Sequence, residues 1–155
     1  MTKGQKAPDF TLFNTRKRPV TLSDACAKGP VLLLFYPAAF TGVCTNELNM
    51  VSNDLDAYGP AQVFGVSTDT LFTQAEFAKA NAFKIEQLSD HDGEVSAAFG
   101  AKYDANFGPM KYDRIAKRSA FLIDRDGVIQ YAEVLENPGN LPDLEAIRVA
   151  ISEIA

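Results

Sequence analysis

The sequence has no tryptophan, one histidine and only two cysteines among its 155 residues. Two cysteines and one histidine are too few for a disulfide framework or for a Cys/His zinc site, in which four such ligands usually surround the metal. We therefore expect neither a metal nor any other cofactor.

Positive charge and long apolar segments are also scarce. Lysine and arginine number 15 against 20 aspartates and glutamates, a net charge of −5. Such a chain would be repelled by nucleic acid, so no nucleic-acid partner is expected. The longest apolar run, residues 31–36, is too short to cross a bilayer, and the opening MTKGQKAPDF lacks the apolar segment of a signal peptide. These features predict a soluble, cytoplasmic protein without a membrane partner.

What the sequence does contain is typical of a globular protein. Hydrophobic residues make up 46% and charged residues 23% of the chain, which are ordinary values. A chain of this length can bury close to 70% of the surface that its unfolded form exposes. Because no linker, repeat or low-complexity stretch divides it, we expect residues 1–155 to form a single domain.

The apolar pattern alternates between strands and helices. Residues 31–36 are apolar without alternation, as in a strand covered on both faces, and residues 62–67 are predicted to form another buried strand. Between them, apolar residues recur in steps of three and four and predict a helix from Cys44 to Gly59-Pro60. Before these strands, the sequence predicts a hairpin of residues 9–13 and 19–22 and a short helix capped by Ser23. After them it predicts a helix that follows Asp69, with Leu71, Ala75, Ala78 and Ala82 on one side, a strand at 87–88 and a helix at 94–99. The last predicted elements are a hairpin of 119–124 and 128–134 and a helix opened by Pro142. This order predicts an α/β sandwich whose mixed sheet is parallel at the centre and antiparallel at an edge.

The stretch FYPAAFTGVC, residues 35–44, places a cysteine at the start of a predicted helix. If Thr41 is the N-cap, Cys44 lies in the first turn, where free backbone N–H groups and the helix dipole favour an anion. This position favours a reactive thiolate. It also lies beyond the carboxyl end of a strand, where open α/β sheets bind ligands. The alternative is that Cys44 is a small buried hydrophobe on the apolar helix face.

Three motifs resemble those of the peroxiredoxin family. Pro37-x-x-x-Thr41-x-x-Cys44 resembles its active-site signature, residues 4–12 (GQKAPDFTL) its opening stretch, and residues 117–127 (KRSAFLIDRDG) the strand that carries its essential arginine. The chain is most similar to the one-cysteine alkyl hydroperoxide reductase E type, and next to the bacterioferritin-comigratory type. The resemblance implies a thioredoxin-like sandwich, with a central mixed sheet flanked by helices and an amino-terminal hairpin. It also implies a thiol-dependent peroxidase that reduces hydrogen peroxide or organic hydroperoxides.

The same resemblance implies roles for five residues. Cys44 would be oxidised to a sulfenic acid, Thr41 would hydrogen-bond the peroxide, and Arg118 would hold the thiolate and the peroxide oxygens together. Pro37 would stiffen the entry to the site, and Glu47 would pair with Arg118 and orient it. Without the resemblance, Arg118 is more typical of a solvated charge cluster, and Glu47 of a helix former in a first turn.

The second cysteine, Cys26, is not expected to react with Cys44. Residues 31–36 form a strand between them that is ~20 Å long, whereas a disulfide needs Cα atoms within about 7 Å. Asn49 stands where the bacterioferritin-comigratory type often has its resolving cysteine. We therefore expect an external thiol to complete the cycle, either thioredoxin, glutaredoxin or a low-molecular-weight thiol. Cys26 is predicted to be structural, with an intersubunit role left open.

Two other functions stay open at this point. A peroxide sensor or holdase would use the same oxidisable cysteine, and a thioredoxin-like disulfide oxidoreductase would share the order of elements but needs a Cys-x-x-Cys pair that the sequence lacks. The resemblance also implies a homodimer.

Several further side chains are assigned from the sequence. Phe40, Phe107 and Tyr112 could line an apolar approach to the site, although aromatics are more often part of the core. Ser67 and Asp69 are expected to cap and turn the chain, and His91 to lie at the surface.

Overall fold

The computed structural model describes residues 1–104 and 107–155. The strands are β1 (Thr11–Asn14), β2 (Pro19–Thr21), β3 (Val31–Phe35), β4 (Gln62–Ser67), β5 (Glu86–Ser89), β6 (Ser119–Ile123) and β7 (Ile129–Val134). The helices are α1 (Leu22–Lys28), α2 (Gly42–Asn53), α3 (Leu71–Asn81), α4 (Glu94–Ala98) and α5 (Leu144–Ile154), with 3-10 turns at Leu55–Tyr58 and Gly108–Met110.

The seven strands form one mixed sheet in the order β2-β1-β5-β4-β3-β6-β7. The central strands β3, β4 and β5 are parallel, whereas β6 and β7 on one side and β1 and β2 on the other pair antiparallel. Every residue of β3 and β6 is buried, as expected for strands covered on both faces. The predicted α/β sandwich, its mixed sheet and its amino-terminal hairpin are confirmed.

The sheet separates two hydrophobic clusters, because successive side chains of a strand point to opposite faces. Leu33 and Phe35 of β3 pack on one face with α1 and α4, and this cluster includes Cys26. Leu32 and Leu34 pack on the other face with α2, α3 and α5, and that cluster includes Cys44. The two cysteines therefore lie on opposite faces of the sheet.

The long helix predicted from Cys44 to Gly59 is two elements. Helix α2 ends at Asn53, Asp54 leaves the helical region at φ −125° and ψ 36°, and a 3-10 turn follows. Asparagine and aspartate compete with the helix by bonding nearby backbone groups, which explains a break at this point. Tyr58 stays buried, so the apolar pattern marks the core correctly across the break.

The predicted apolar face of α3 is wrong. The alanine spacing places Ala75 and Ala78 at its centre, but the buried side chains are Gln74 and Phe77. Gln74 is buried because its amide donates to Ser67 Oγ (3.0 Å) and to Leu88 O (2.8 Å). A polar residue held by tertiary hydrogen bonds escapes a hydrophobic pattern.

Two predicted helix starts are also corrected. The N-cap position of α1 is Thr21, and Ser23 lies in the first turn, where its N–H and hydroxyl donate to the carboxylate of Asp9 (2.9 and 2.8 Å). The N-cap of α5 is Asp143, which accepts from Ala146 N (3.0 Å), and Pro142 precedes it. Among the described helices, none has the length and apolar character needed to cross a membrane.

Candidate active site

A cavity of about 540 Å³ opens beyond the carboxyl end of β3, between the start of α2 and the start of β6. Four of the five predicted site residues line it, and Glu47 lies outside its lining. The cavity is bounded by Pro37, Ala38, Thr41, Gly42, Val43, Cys44, Phe107, Met110, Tyr112, Ile115, Arg118, Pro138 and Gly139. A larger groove of about 690 Å³, next to β2 and the start of β4, contains neither cysteine nor histidine among its lining residues. The smaller cavity is the one that Cys44 lines.

Cys44 is the third residue of α2, following Gly42 and Val43, with Thr41 at the N-cap position. Its side chain is 1% exposed and packs in the cluster with Leu34, while it also borders the cavity. Cys44 thus belongs both to the buried helix face and to the cavity wall. A buried sulfur at a helix start is shielded from bulk water but lies next to free backbone N–H groups.

The sheet register brings Arg118 to Cys44. Phe35, the last residue of β3, pairs with Ser119, the first residue of antiparallel β6. Arg118 precedes Ser119 and therefore reaches the same edge of the sheet as the loop that follows β3. Its Nη2 donates to Cys44 Sγ at 3.1 Å and to Pro138 O at 3.0 Å. Arg118 is 1% exposed, so it is not part of a solvated charge cluster.

Glu47 is completely buried one turn after Cys44 and accepts a hydrogen bond from Arg118, with Nη1 to Oε2 at 2.5 Å. Burial raises the pKa of the Glu47 carboxyl to about 7, against the opposing effect of Arg118. Burial also acts to lower the pKa of Arg118, but the neighbouring Glu47 and Cys44 outweigh it and raise that pKa. The guanidinium therefore stays charged while it donates to both Glu47 and Cys44.

The hydrogen bonds of this pair are incomplete. Within residues 1–104 and 107–155, Glu47 Oε1 and Arg118 Nε have no hydrogen-bond partner. An unmatched carboxylate oxygen in the core adds to the desolvation penalty that makes Glu47 a weaker acid.

Thr41 occupies the N-cap position of α2, but its side chain makes no capping hydrogen bond to the described residues. Its hydroxyl instead donates to Ala38 O at 2.7 Å. Thr41 is therefore the N-cap residue by position, as expected, but its side chain does not cap the helix. Because no side chain of residues 1–104 or 107–155 caps the first N–H groups of α2, those of Val43 and Cys44 can hold an anion in the cavity.

The loop before α2 is held by a residue that the sequence did not single out for the site. The N–H of Ala39 donates to Asp69 Oδ2 at 2.9 Å, and Phe40 adopts the left-handed region with φ 64°. The residue that caps α3 is Thr70, whose hydroxyl accepts from Thr73 N. One signal was available, because Asp69 follows β4 at the sheet edge that β3 also reaches.

One wall of the cavity is apolar. Phe107 and Tyr112 line it as the sequence suggested, whereas Phe40 does not and instead packs its ring 5.1 Å from that of Phe77. Met110 and Ile115 complete the wall and were missed, because a short 3-10 turn and its flanks have no apolar period. His91 is exposed, as expected, and lies outside the lining.

The two cysteines are both free, and they lie in different clusters. Burial, with nearby Asp124 and Asp9, raises the pKa of Cys26, which makes it a poor nucleophile. In the part of the chain that the structure describes, no group of three or more His, Cys, Asp or Glu side chains could hold a metal.

The structure combines a mixed sheet flanked by helices with a cysteine in the first turn of a helix that accepts a hydrogen bond from an arginine. This combination is that of thiol-based redox enzymes with a thioredoxin-like fold. The profile of the AhpC/TSA family matches residues 3–132, and the chain belongs to that family.

The chain is also similar to individual proteins of known identity. The chain is 34% identical over 144 residues to alkyl hydroperoxide reductase E of Mycobacterium tuberculosis, covering 90% of this chain and 89% of the relative. It is 32% identical over 144 residues to the thiol peroxidase of Bacillus subtilis, covering 92% and 81%. The crystal structure of peroxidoxin BcpB from Mycobacterium tuberculosis superposes with a TM-score of 0.87 at 31% identity, over 100% of this chain and 99% of that one.

These findings confirm the resemblance and the thioredoxin-like fold. They also confirm the enzyme class, since the relatives and structural neighbours are peroxiredoxins, which are thiol-dependent peroxidases.

Proposed function

We infer that the chain, acting as one domain of residues 1–155, reduces hydrogen peroxide, organic hydroperoxides or both through a sulfenic acid on Cys44. The observation that carries this proposal is the contact of 3.1 Å between Arg118 Nη2 and Cys44 Sγ at the start of α2, inside a cavity. A cationic donor and a helix start both stabilise a thiolate, which is the form of cysteine that attacks peroxide.

The reaction moves negative charge from sulfur to oxygen. The Cys44 thiolate attacks one peroxide oxygen, an S–O bond forms and the O–O bond breaks. Cys44 becomes a sulfenic acid, and the departing hydroxide or alkoxide takes up a proton as water or alcohol. Arg118 presents several donors in one plane, so it can contact the sulfur and the departing oxygen together. The free N–H groups at the start of α2 add to this cradle.

Thr41, Glu47 and Pro37 support the reaction without forming bonds to sulfur. The Thr41 hydroxyl donates its hydrogen to Ala38 O, so the hydroxyl oxygen can accept a hydrogen bond from the O–H of a peroxide. Glu47 holds Arg118 through the 2.5 Å hydrogen bond and so orients the guanidinium. Pro37 has no N–H and a fixed φ, which stiffens the loop as it leaves β3.

The sulfenic acid is recycled by an external thiol in a one-cysteine mechanism. The thiol condenses with the sulfenic acid, releasing water and forming a mixed disulfide, and a second thiol releases the Cys44 thiolate. The position of Cys26 on the opposite face of the sheet supports this route. Thioredoxin, glutaredoxin and a low-molecular-weight thiol remain candidates for the reductant.

A cytoplasmic location and a homodimer belong to the same proposal. Two free thiols suit a reducing compartment. The loop beside Cys44 exposes the Phe40 side chain to 56%, and an exposed aromatic next to the site suits a contact between two copies.

The test is a pair of cysteine variants. Cys44→Ser should abolish the consumption of peroxide in the presence of excess dithiol while the far-ultraviolet circular dichroism and the free energy of unfolding stay near those of the wild type. Cys26→Ser is the matched control and should keep the activity. Peroxide turnover by Cys44→Ser would refute the proposal, and oxidation of wild-type Cys44 without any turnover would favour a sensor over an enzyme.

A further inference from the structure

A line of hydrogen bonds runs behind the active-site loop and ends on its backbone. Gln74 Nε2 donates to Leu88 O and to Ser67 Oγ (2.8 and 3.0 Å), and Ser67 Oγ donates to Asp69 Oδ2 (2.7 Å). The same oxygen of Asp69 accepts the N–H of Ala39 (2.9 Å). Gln74 and Ser67 are fully buried, so this line is fixed to the core between β4 and β5.

This line of hydrogen bonds ends on the peptide group that joins Ala38 to Ala39, and Ala38 is a lining residue of the cavity. Ala39 follows Ala38, whose carbonyl oxygen accepts the Thr41 hydroxyl at 2.7 Å. Ala38 and Thr41 both line the cavity with Cys44, whereas Asp69 does not. The Asp69 carboxylate therefore reaches Thr41 only through the backbone of residues 38–39.

The loop needs such a restraint. Phe40 has φ 64°, a region that is unfavourable for a bulky side chain, and it stands between the hydrogen-bonded Ala39 and Thr41. A backbone in an unfavourable conformation persists only when its surroundings hold it there. The hydrogen bond from Ala39 N–H to the side-chain oxygen of Asp69 is one such restraint.

We propose that Asp69 is a positioning residue for peroxide reduction, which holds the backbone of residues 38–39 so that the Thr41 hydroxyl faces the peroxide beside Cys44. This inference rests on the proposed peroxidase function. In this role Asp69 neither contacts the peroxide nor takes part in proton transfer.

The first test compares Asp69→Ala with Asp69→Asn. Asp69→Ala should lower kcat/KM for peroxide by about 10- to 100-fold, since a displacement on the order of 1 Å in a positioning group has effects of that size. Asp69→Asn keeps an oxygen that can accept from Ala39 N and should restore the rate to within about threefold of the wild type. Asp124→Ala is the matched control, because the Asp124 side chain likewise accepts from backbone N–H groups, those of Asp126 and Val128, but lies beyond the far end of β6. It should lose stability and keep the wild-type rate.

A double-mutant cycle separates positioning from a general structural effect. If Asp69 acts through Thr41, Asp69→Ala should lower the rate by less than about threefold in a Thr41→Val background, because the hydroxyl that it positions is gone. Equal losses in both backgrounds would overturn the proposal. So would an Asp69→Asn variant as slow as Asp69→Ala.

A readout without turnover keeps the two proposals apart. Backbone hydrogen exchange in the peptide that spans residues 37–44 should become faster in Asp69→Ala and stay unchanged in Asp124→Ala. If the wild type consumed no peroxide, the proposed function would fail, and unchanged exchange in Asp69→Ala would still show independently that Asp69 does not hold the loop.

Discussion

At the scale of single residues, the site depends on one guanidinium that contacts two acidic groups. Arg118 donates from Nη1 to Glu47 and from Nη2 to Cys44, and both of these side chains are almost completely buried. A lysine would carry the same charge, but its ammonium is a point charge without the planar fork that spans both partners. The geometry of the donors therefore matters here as much as the charge.

The variant Arg118→Lys tests this geometry. We expect kcat/KM for peroxide to fall by about 100- to 1,000-fold, the size of effect seen when one donor to a developing oxyanion is removed. The exposed Arg114→Lys is the matched control and should react at the wild-type rate. Stopped-flow oxidation of the reduced enzyme measures both. A rate for Arg118→Lys within threefold of the wild type would show that charge alone suffices.

Glu47 gives the molecule a predictable response to pH. Burial raises the pKa of its carboxyl from the ordinary 4.5 to about 7, so between these values the folded state binds a proton that the unfolded state releases. The contribution of the protonated Glu47 carboxyl to the free energy of unfolding is complete below pH 4.5 and is lost as pH rises from there to about 7. The loss corresponds to about 3 kcal/mol at 1.36 kcal/mol per pH unit.

The measurement compares the free energy of unfolding of the wild type and Glu47→Gln from pH 4 to pH 8. The neutral amide does not titrate, so the difference between the two proteins isolates Glu47. We expect the wild type to lose stability relative to the variant as pH rises, and to stay level above pH 7. A constant difference would mean that the Glu47 carboxyl has the same pKa in the folded and unfolded states.

At the scale of elements, the sequence predicts the bounds of a strand well when its apolar run and its extended backbone begin and end at the same residues. Strand β4 has the predicted bounds, 62–67, and β3 ends within one residue of its predicted end, because buried central strands are continuous apolar runs that stop at turn residues. The face of α3 was mistaken because Gln74 is buried by hydrogen bonds to other elements, and a pattern of hydrophobicity contains no such information.

The same reasoning explains which parts of the candidate site were foreseeable. Cys44, Thr41 and Pro37 are close in sequence, and helix geometry places them at one sheet edge. The role of Arg118 is predictable only from a motif. Its approach to Cys44 depends on the pairing of β6 with β3, which are more than 80 residues apart in the chain. Asp69 belongs to none of the three sequence motifs, and only the folded loop reveals its contact with Ala39.

At the scale of the whole molecule, the sheet is a barrier between two thiols. Cys26 precedes β3 in α1 and packs on one face, whereas Cys44 follows β3 in α2 and packs on the other. The five residues of β3 alone are ~16 Å long. A disulfide between the two would require the fold to open, because the Cα atoms must approach within about 7 Å.

This separation predicts the outcome of oxidation with one equivalent of peroxide. Mass spectrometry of the folded protein, trapped with dimedone, should find the adduct on Cys44, an unmodified thiol at Cys26 and no Cys26–Cys44 disulfide. The same treatment in concentrated urea is the control, since the unfolded chain lets the two sulfurs meet and should yield the disulfide. A stoichiometric intramolecular disulfide in the folded protein would contradict the one-cysteine mechanism. If instead the sulfenic acid persists until a thiol is added, the fold itself makes the enzyme dependent on an external reductant.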